Sequence, residues 1–330
     1  MFPVRSRAAL AGVLLILLPG CRAATDASDA SDPGLLAAAA VTHPAGVIEL
    51  TVPLGGTPYG VAVAPNAKFV LTTQLTGTAV ARAPLPSRAY GTVIAVGSFP
   101  PHVAINPAST RAYVPNQIGH SVSIVDLGSN SEIARLPLAG EGYNVAVHPN
   151  GATTYITTNI GRMYLLSTAT NSFTDSVTLD PANNGLAFGR GNLLLVSSLL
   201  AGTVTAFNTA TRQVVGVMNT GGVPQRMAVH QASNELYIAN ETLGLDIWNL
   251  ATRTRITTVA MDAYGLGLSP DGQKIYVAGA RSGTVTIVNR ATRQVDTVLT
   301  VGGVPRNVAF LPSGSRAIVT NQSGYVTWIR

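Results

Sequence analysis

One pattern recurs along most of this chain. It reads Gly-Gly-x-Pro-x-x-Val-Ala-Val or a close variant, then x-x-Tyr-Val-x-Asn, then Gly-Thr-Val-x-Val-x-Asn-x-Ala-Thr, with clear copies from Gly55, Gly221 and Gly302. A small residue in the middle of the first hydrophobic run serves as a ruler: Ala62, Ala104, Ala146, Ala187, Ala228, Gly267 and Ala309. The steps between them are 42, 42, 41, 41, 39 and 42 residues. A unit of that length cannot bury its apolar faces alone and must stack on copies of itself. A period near 40 with several short strands per copy predicts small sheets in a radial array.

The sixth copy shows the unit best. Gly265–Leu268 is a short strand, Ser269-Pro270-Asp271-Gly272 a turn with Pro and Gly where a hairpin needs them, and Lys274–Ala278 a second strand. Thr284–Val288 and Gln294–Leu299 follow as third and fourth strands. Each copy is therefore a four-stranded antiparallel meander, a to d, with Val, Ile, Ala and Thr on both faces because both faces are covered by neighbours. The fold class is all-β, a seven-bladed β-propeller. The last copy stops at Arg330 after its third strand. Val47–Gly56 matches Val295–Gly303, so the N-terminal strand is predicted to pair into the last blade and close the ring, removing exposed sheet edges.

Only 11% of the 330 residues are charged, against roughly 25% in an average soluble protein, and Val, Thr, Gly and Ala dominate, which is strand composition. The single cysteine excludes an intramolecular disulfide. Its surroundings explain it. Arg5 and Arg7 precede an apolar run from Ala8 to Leu18, too short to span a bilayer, and the run ends in Leu18-Pro19-Gly20-Cys21. This resembles a bacterial lipobox, with Cys21 as the lipidated residue. The expected organisation is a lipoprotein signal peptide at 1–20, a disordered tether at 21–44 and the propeller at 45–330. Arg22 follows Cys21 where an inner-membrane retention signal commonly carries Asp. The expected location is therefore the cell envelope, exported and lipid-anchored at the outer membrane. Losing Arg5 and Arg7 takes the formal charge from +6 to +4, which does not call for nucleic acid.

The second-strand signature Tyr113-Val114-Pro115-Asn116, with variants ending at Asn159, Asn240 and Asn321, resembles the YVTN family of bacterial surface and periplasmic β-propellers (YncE-like). The likeness covers residues 46–330. It implies the propeller fold and, for function, a binding protein. The Gly-His and Trp-Asp pairs of WD40 repeats are missing, and Trp248 and Trp328 read as blade packing.

Strand alternation sends the d-to-a and b-to-c loops to the same end of the central channel. Two positions just ahead of strand a nominate a site there. The outer ones are Tyr59, Pro101, Tyr143, Asn184, Gln225, Tyr264 and Arg306; the inner ones are Gly60, His102, Asn144, Gly185, Arg226, Gly265 and Asn307. They diverge where the strands converge, and their glycines are expected to leave space for a ligand. Arg226 and Arg306 suit carboxylate, phosphate or peptide carbonyls. Glu141, Asp180, Glu241 and Asp262, with His120, Arg162 and Arg281, gather at the same end and read as a solvated rim. His148 and His230 belong to the opposite end, and the asparagines ending strand b are expected to satisfy turn backbone.

The favoured function is a binding or scaffolding module, a monomer holding a protein, peptide or small envelope ligand on this end. The alternative is a small-molecule enzyme resembling lactonases or lyases of this architecture, with His102 as acid/base, Arg226 or Arg306 as oxyanion clamp and Tyr143 or Tyr264 as proton donor. Single-stranded nucleic acid on Arg and Tyr platforms is the least favoured, since Lys68 and Lys274 are the only lysines. No haem-attachment, zinc or phosphate-loop motif occurs, so no cofactor and no metal is expected.

Overall fold

The computed structural model describes residues 46–330; the stretches expected to be signal peptide and tether, with Cys21, lie outside the described residues. The described chain forms 28 strands and no helix. They pair into seven separate sheets of four strands. Six sheets use strands consecutive in the chain. The seventh is built from both ends: Pro305–Phe310, Ala317–Asn321 and Tyr325–Ile329 pair in order, and Ile48–Pro53 adds antiparallel to the outer edge of Tyr325–Ile329. Backbone bonds between Val47 and Arg330 in both directions (2.7 and 2.8 Å) extend that pairing.

The inner strands are Pro58–Val63, Ala104–Ile105, Gly142–Val147, Asn183–Phe188, Pro224–His230, Gly265–Leu268 and Pro305–Phe310, in blades 1 to 7. Each packs against the next, and the last returns to the first. The fold is the closed seven-bladed β-propeller that the repeat predicts.

Successive residues of a strand face opposite ways, and here both directions meet a neighbouring blade. Ala62 packs with Val103, Ile105 and Val114 of blade 2, while Val61 and Val63 pack with Ala309, Ile318 and Trp328 of blade 7. Seven such clusters fill the seven gaps between blades. Strands a, b and c are buried nearly throughout, whereas the outermost strands alternate, as in Ser131–Pro137 and Ser172–Thr178. The repeated Asn after strand c also has its reason. The side-chain oxygens of Asn208, Asn249 and Asn289 accept from two backbone N–H groups of the following turn, at 2.8–3.1 Å. That fixes the c-to-d hairpin.

Closure carries its own ion pairs. Glu49, on the N-terminal strand, accepts from Arg316 Nε and Nη2 at 2.5 and 3.0 Å and lies 3.1 Å from Arg88 of blade 1. The Arg316 hydrogen bonds, opposed by burial and reinforced by Arg88, hold its carboxyl down to about 2 from 4.5. A depressed carboxyl contributes fully above its ordinary pKa, and the contribution fades as pH falls from 4.5 toward 2. Solvent screens these side chains, so the clasp is worth about 0.5–1 kcal/mol. We predict that Glu49→Gln lowers the melting temperature slightly at pH 7 and flattens its fall across that acid window. Equal slopes in variant and wild type would reject the clasp. Trp328, wholly buried in the gap between blades 7 and 1, is the larger lever. Trp328→Ala is predicted to cost about 3–5 kcal/mol in urea unfolding, and a loss under about 1 kcal/mol would mean that closure does not depend on this packing.

Candidate functional site

The nominated residues sit where strand a leaves its ladder. Pairing with strand b slips between Pro58 and Val61, Gly142 and Asn144, Asn183 and Leu186, Pro224 and Met227, and Pro305 and Val308. A bulge re-aims side chains that would otherwise follow the pleat. In blade 2 the inner strand is only Ala104–Ile105, so Pro101 and His102 precede it, and in blade 6 Tyr264 N bonds Ala278 O just ahead of Gly265.

The asparagine that ends strand b holds the preceding loop. The side-chain oxygens of Asn159, Asn240 and Asn321 accept from the backbone N–H of Glu141, Val223 and Val304 at 2.8–2.9 Å. Asn240 and Asn321 also donate to the carbonyls of Gly221 and Gly302. Gln74 does the same for Thr57 in blade 1. The clamp explains the second glycine of the Gly-Gly pair. Gly222 and Gly303 have φ of +59° and +53°, and a Cβ there would lie 2.4–2.5 Å from the clamping oxygen.

Side chains of five blades meet at this end. The hydroxyls of Tyr59 (blade 1) and Tyr264 (blade 6) are 2.5 Å apart although blade 7 lies between them, a contact available only on the inside of the ring. Arg306 of blade 7 has its guanidinium over both rings, 5.6 Å from Tyr59 and 4.4 Å from Tyr264. Arg226 of blade 5 lies 5.9 Å from the Tyr264 ring, and His102 of blade 2 meets Tyr59 edge-on at 6.4 Å. The remaining residues join a second network. Asn144 Nδ2 donates to Asn184 O at 2.7 Å, the Asn184 amide donates to Gln225, and Gln225 donates to Glu241. Tyr143 donates to Glu141, which also accepts from Gln117. Asn307 donates to Tyr59 O at 2.8 Å.

Ring geometry makes this a packed lining rather than an open rim. Tyr59, His102, Tyr143, Asn144, Asn184, Gln225, Arg226, Tyr264 and Asn307 are all buried, and Arg306 is half-buried. The glycines do not hold space for a ligand. A Cβ at Gly60, Gly185 or Gly265 would stand 2.7, 2.4 or 1.8 Å from the carbonyl of Pro101, Gln225 or Arg306. The neighbouring blade's backbone already fills that room, so these glycines serve close approach of inner strands.

The rim acids are engaged locally. Asp180 accepts from Thr203 Oγ1 at 2.7 Å, and Asp262 accepts from the N–H groups of Arg281 and Ser282 and pairs with the Arg281 guanidinium. Burial pushes the Glu241 carboxyl up, against the opposing Gln225 hydrogen bond and Arg306 charge. Burial also pushes the Tyr264 hydroxyl well above the ordinary tyrosine range. The centre thus offers guanidinium and hydroxyl donors suited to anions and carbonyls, and Tyr264 is tuned away from proton transfer near neutral pH. His148 and His230 follow the inner strands at the opposite end, where His148 packs against Tyr155 and Phe188. Among the described residues no group of three or more His, Cys, Asp or Glu is placed to hold a metal ion.

Sequence reasoning overlooked the b-to-c loop tips. Ile118, Ile160, Leu200 and Leu243, on blades 2 to 5, are 56%, 53%, 68% and 38% exposed. The tips of blades 6, 7 and 1 carry Arg281, Ser323 and Thr76 instead. These loops bond the d-to-a loops of their own blades, as Gln117 N does Phe99 O and Glu241 N does Val223 O, so the four aliphatic side chains share the candidate end. A signal was present: an aliphatic residue two positions past the end of strand b in blades 2 to 4, with Leu243 three positions past it in blade 5.

No family model and no curated protein matches the chain. Among solved structures it is similar to Kuenenia stuttgartiensis hydrazine synthase, with a TM-score of 0.78 and 17% identity over 86% of this chain and 97% of that one. At that identity the likeness concerns the fold alone.

Asn321→Ala removes an acceptor for Val304 N and a donor to Gly302 O. We predict a loss of about 1–3 kcal/mol in urea unfolding. An unchanged midpoint would show that the loop holds itself.

Proposed function

We propose that this chain is a binding module that holds a protein or peptide partner on the end formed by its d-to-a and b-to-c loops. The observation that carries this reading is the arc of four exposed aliphatic tips on consecutive blades. Single exposed aliphatic residues are ordinary on soluble proteins. Four in the b-to-c loops of consecutive blades, three at the equivalent position and Leu243 one residue later, beside polar tips on the other three blades, line one apolar arc on a rigid frame. The propeller is a general interaction scaffold, and its clamped loops hold the crescent with little ordering cost on association.

The YVTN-like strand signature supports a place among envelope propellers. The Leu18-Pro19-Gly20-Cys21 sequence supports attachment through lipid on Cys21 at the outer membrane. In this reading the tether lets the ring reach a partner near the membrane.

The double variant Ile160→Asp/Leu200→Asp tests it. Both side chains are exposed, so the melting temperature should stay within a degree or two of wild type, roughly the effect of a surface change. Retention of the envelope partner on immobilised protein should fall at least about tenfold, the loss expected when an interface's apolar centre gains charge. Equal retention by the folded double variant would remove the crescent from the binding surface.

A further inference from the structure

Arg226 stands out inside the ring. It is 1% exposed, and none of its three guanidinium nitrogens hydrogen-bonds to another described residue. No described carboxylate forms an ion pair with it. Guanidinium stays protonated in proteins, so this side chain cannot relieve its burial by losing the charge. Buried charges are paired in stable proteins, because a lone one forfeits its hydration with nothing in return. Its described neighbour is the Tyr264 ring, a weak cation–π contact at 5.9 Å.

The surroundings define what completes it. Arg306 of blade 7 lies over the same ring at 4.4 Å, so Tyr264 of blade 6 meets a guanidinium from each neighbouring blade. Glu241, engaged by Gln225, feels Arg306 and Arg281 and also Asp262. Two carboxylates against Arg226, Arg306 and Arg281 leave one positive charge. A monoanion balances it, whereas a phosphate dianion overshoots. The donors are planar forks beside an aromatic face, the geometry that a carboxylate accepts in two parallel bonds.

We propose that Arg226 is the seat of a carboxylate, with Arg306 as the side chain that moves to admit it. The carboxylate belongs either to a small free acid or to the C-terminus of a peptide. Arg226 is 1% exposed in the resting arrangement, so a side chain must move to admit the ligand. Arg306 is half-buried, and its Nε donates to Gln322 Oε1 at 2.7 Å. This inference rests on the binding role proposed above and names the chemical group at the centre of the same end.

The test is calorimetric titration of the purified full-length protein at constant ionic strength. The probes are N-acetylglycine, a short apolar peptide with a free C-terminus, the same peptide as its C-terminal amide, and inorganic phosphate. Saturable binding of N-acetylglycine or of the free peptide is expected, with the amide and phosphate at least about tenfold weaker. Tight N-acetylglycine identifies a small acid as the source; tight free peptide with weak N-acetylglycine identifies a peptide terminus. Arg226→Lys should weaken the bound probe about tenfold or more, because it keeps the charge and loses the fork. Arg226→Met should abolish binding while melting at or above wild type, since it removes an unpaired buried charge. If Arg226→Met does not fold, the lysine variant decides. Absence of binding by either carboxylate, binding of phosphate alone, or wild-type affinity in Arg226→Lys would overturn the proposal. Ile160→Asp/Leu200→Asp should still bind N-acetylglycine if a small acid is the ligand, and failure of partner retention in that variant then bears on the crescent and leaves the seat standing.

Discussion

Everything in this molecule depends on covering both faces of each small sheet. A four-stranded meander with Val, Ile and Ala on both sides has no stable existence in water. Each sheet therefore packs against two neighbours, and the array closes only when the seventh meets the first. The interlocking is visible residue by residue: Ala62 faces blade 2 while Val61 and Val63, its chain neighbours, face blade 7. The N-terminal strand completes the last sheet, so ring closure joins the two ends of the folded chain. Glu49 then ties that strand to Arg316 within its own blade and to Arg88 of blade 1.

Closure also creates the candidate end. Seven inner strands converge on one axis, and their approach is so close that glycine is required at Gly60, Gly185 and Gly265. Bulges at the start of strand a turn Tyr59, Arg226 and Arg306 out of the ladder, where Tyr59 meets Tyr264 two blades away and both arginines reach the Tyr264 ring of an adjacent blade. The asparagine clamp at the end of strand b fixes the loops around them. A rigid frame with divergent side chains at its centre and aliphatic tips at its edge has the build of a recognition surface. In the proposed reading, the guanidinium at the centre and the aliphatic tips around it divide the work of recognition between charge and apolar area.

The repeat by itself determined the number of blades, the four-strand unit, the turns after strand c and the contribution of the N-terminal strand to the last sheet. These follow from local periodicity, turn chemistry and the need to bury two faces, all of which a single copy displays. The burial of Trp248 and Trp328 followed for the same reason. The positions ahead of strand a were also legible, because they diverged where the adjoining strand converged. What those side chains do was decided by the tertiary structure. Contact between Tyr59 and Tyr264 spans 205 residues of chain and depends on ring curvature. The space that Gly265 suggests in sequence is occupied by a carbonyl from the next blade. The isolation of Arg226 is a property of every element around it at once. Local pattern cannot state how close two strands from different copies come, and that distance separates an open pocket from a packed axis.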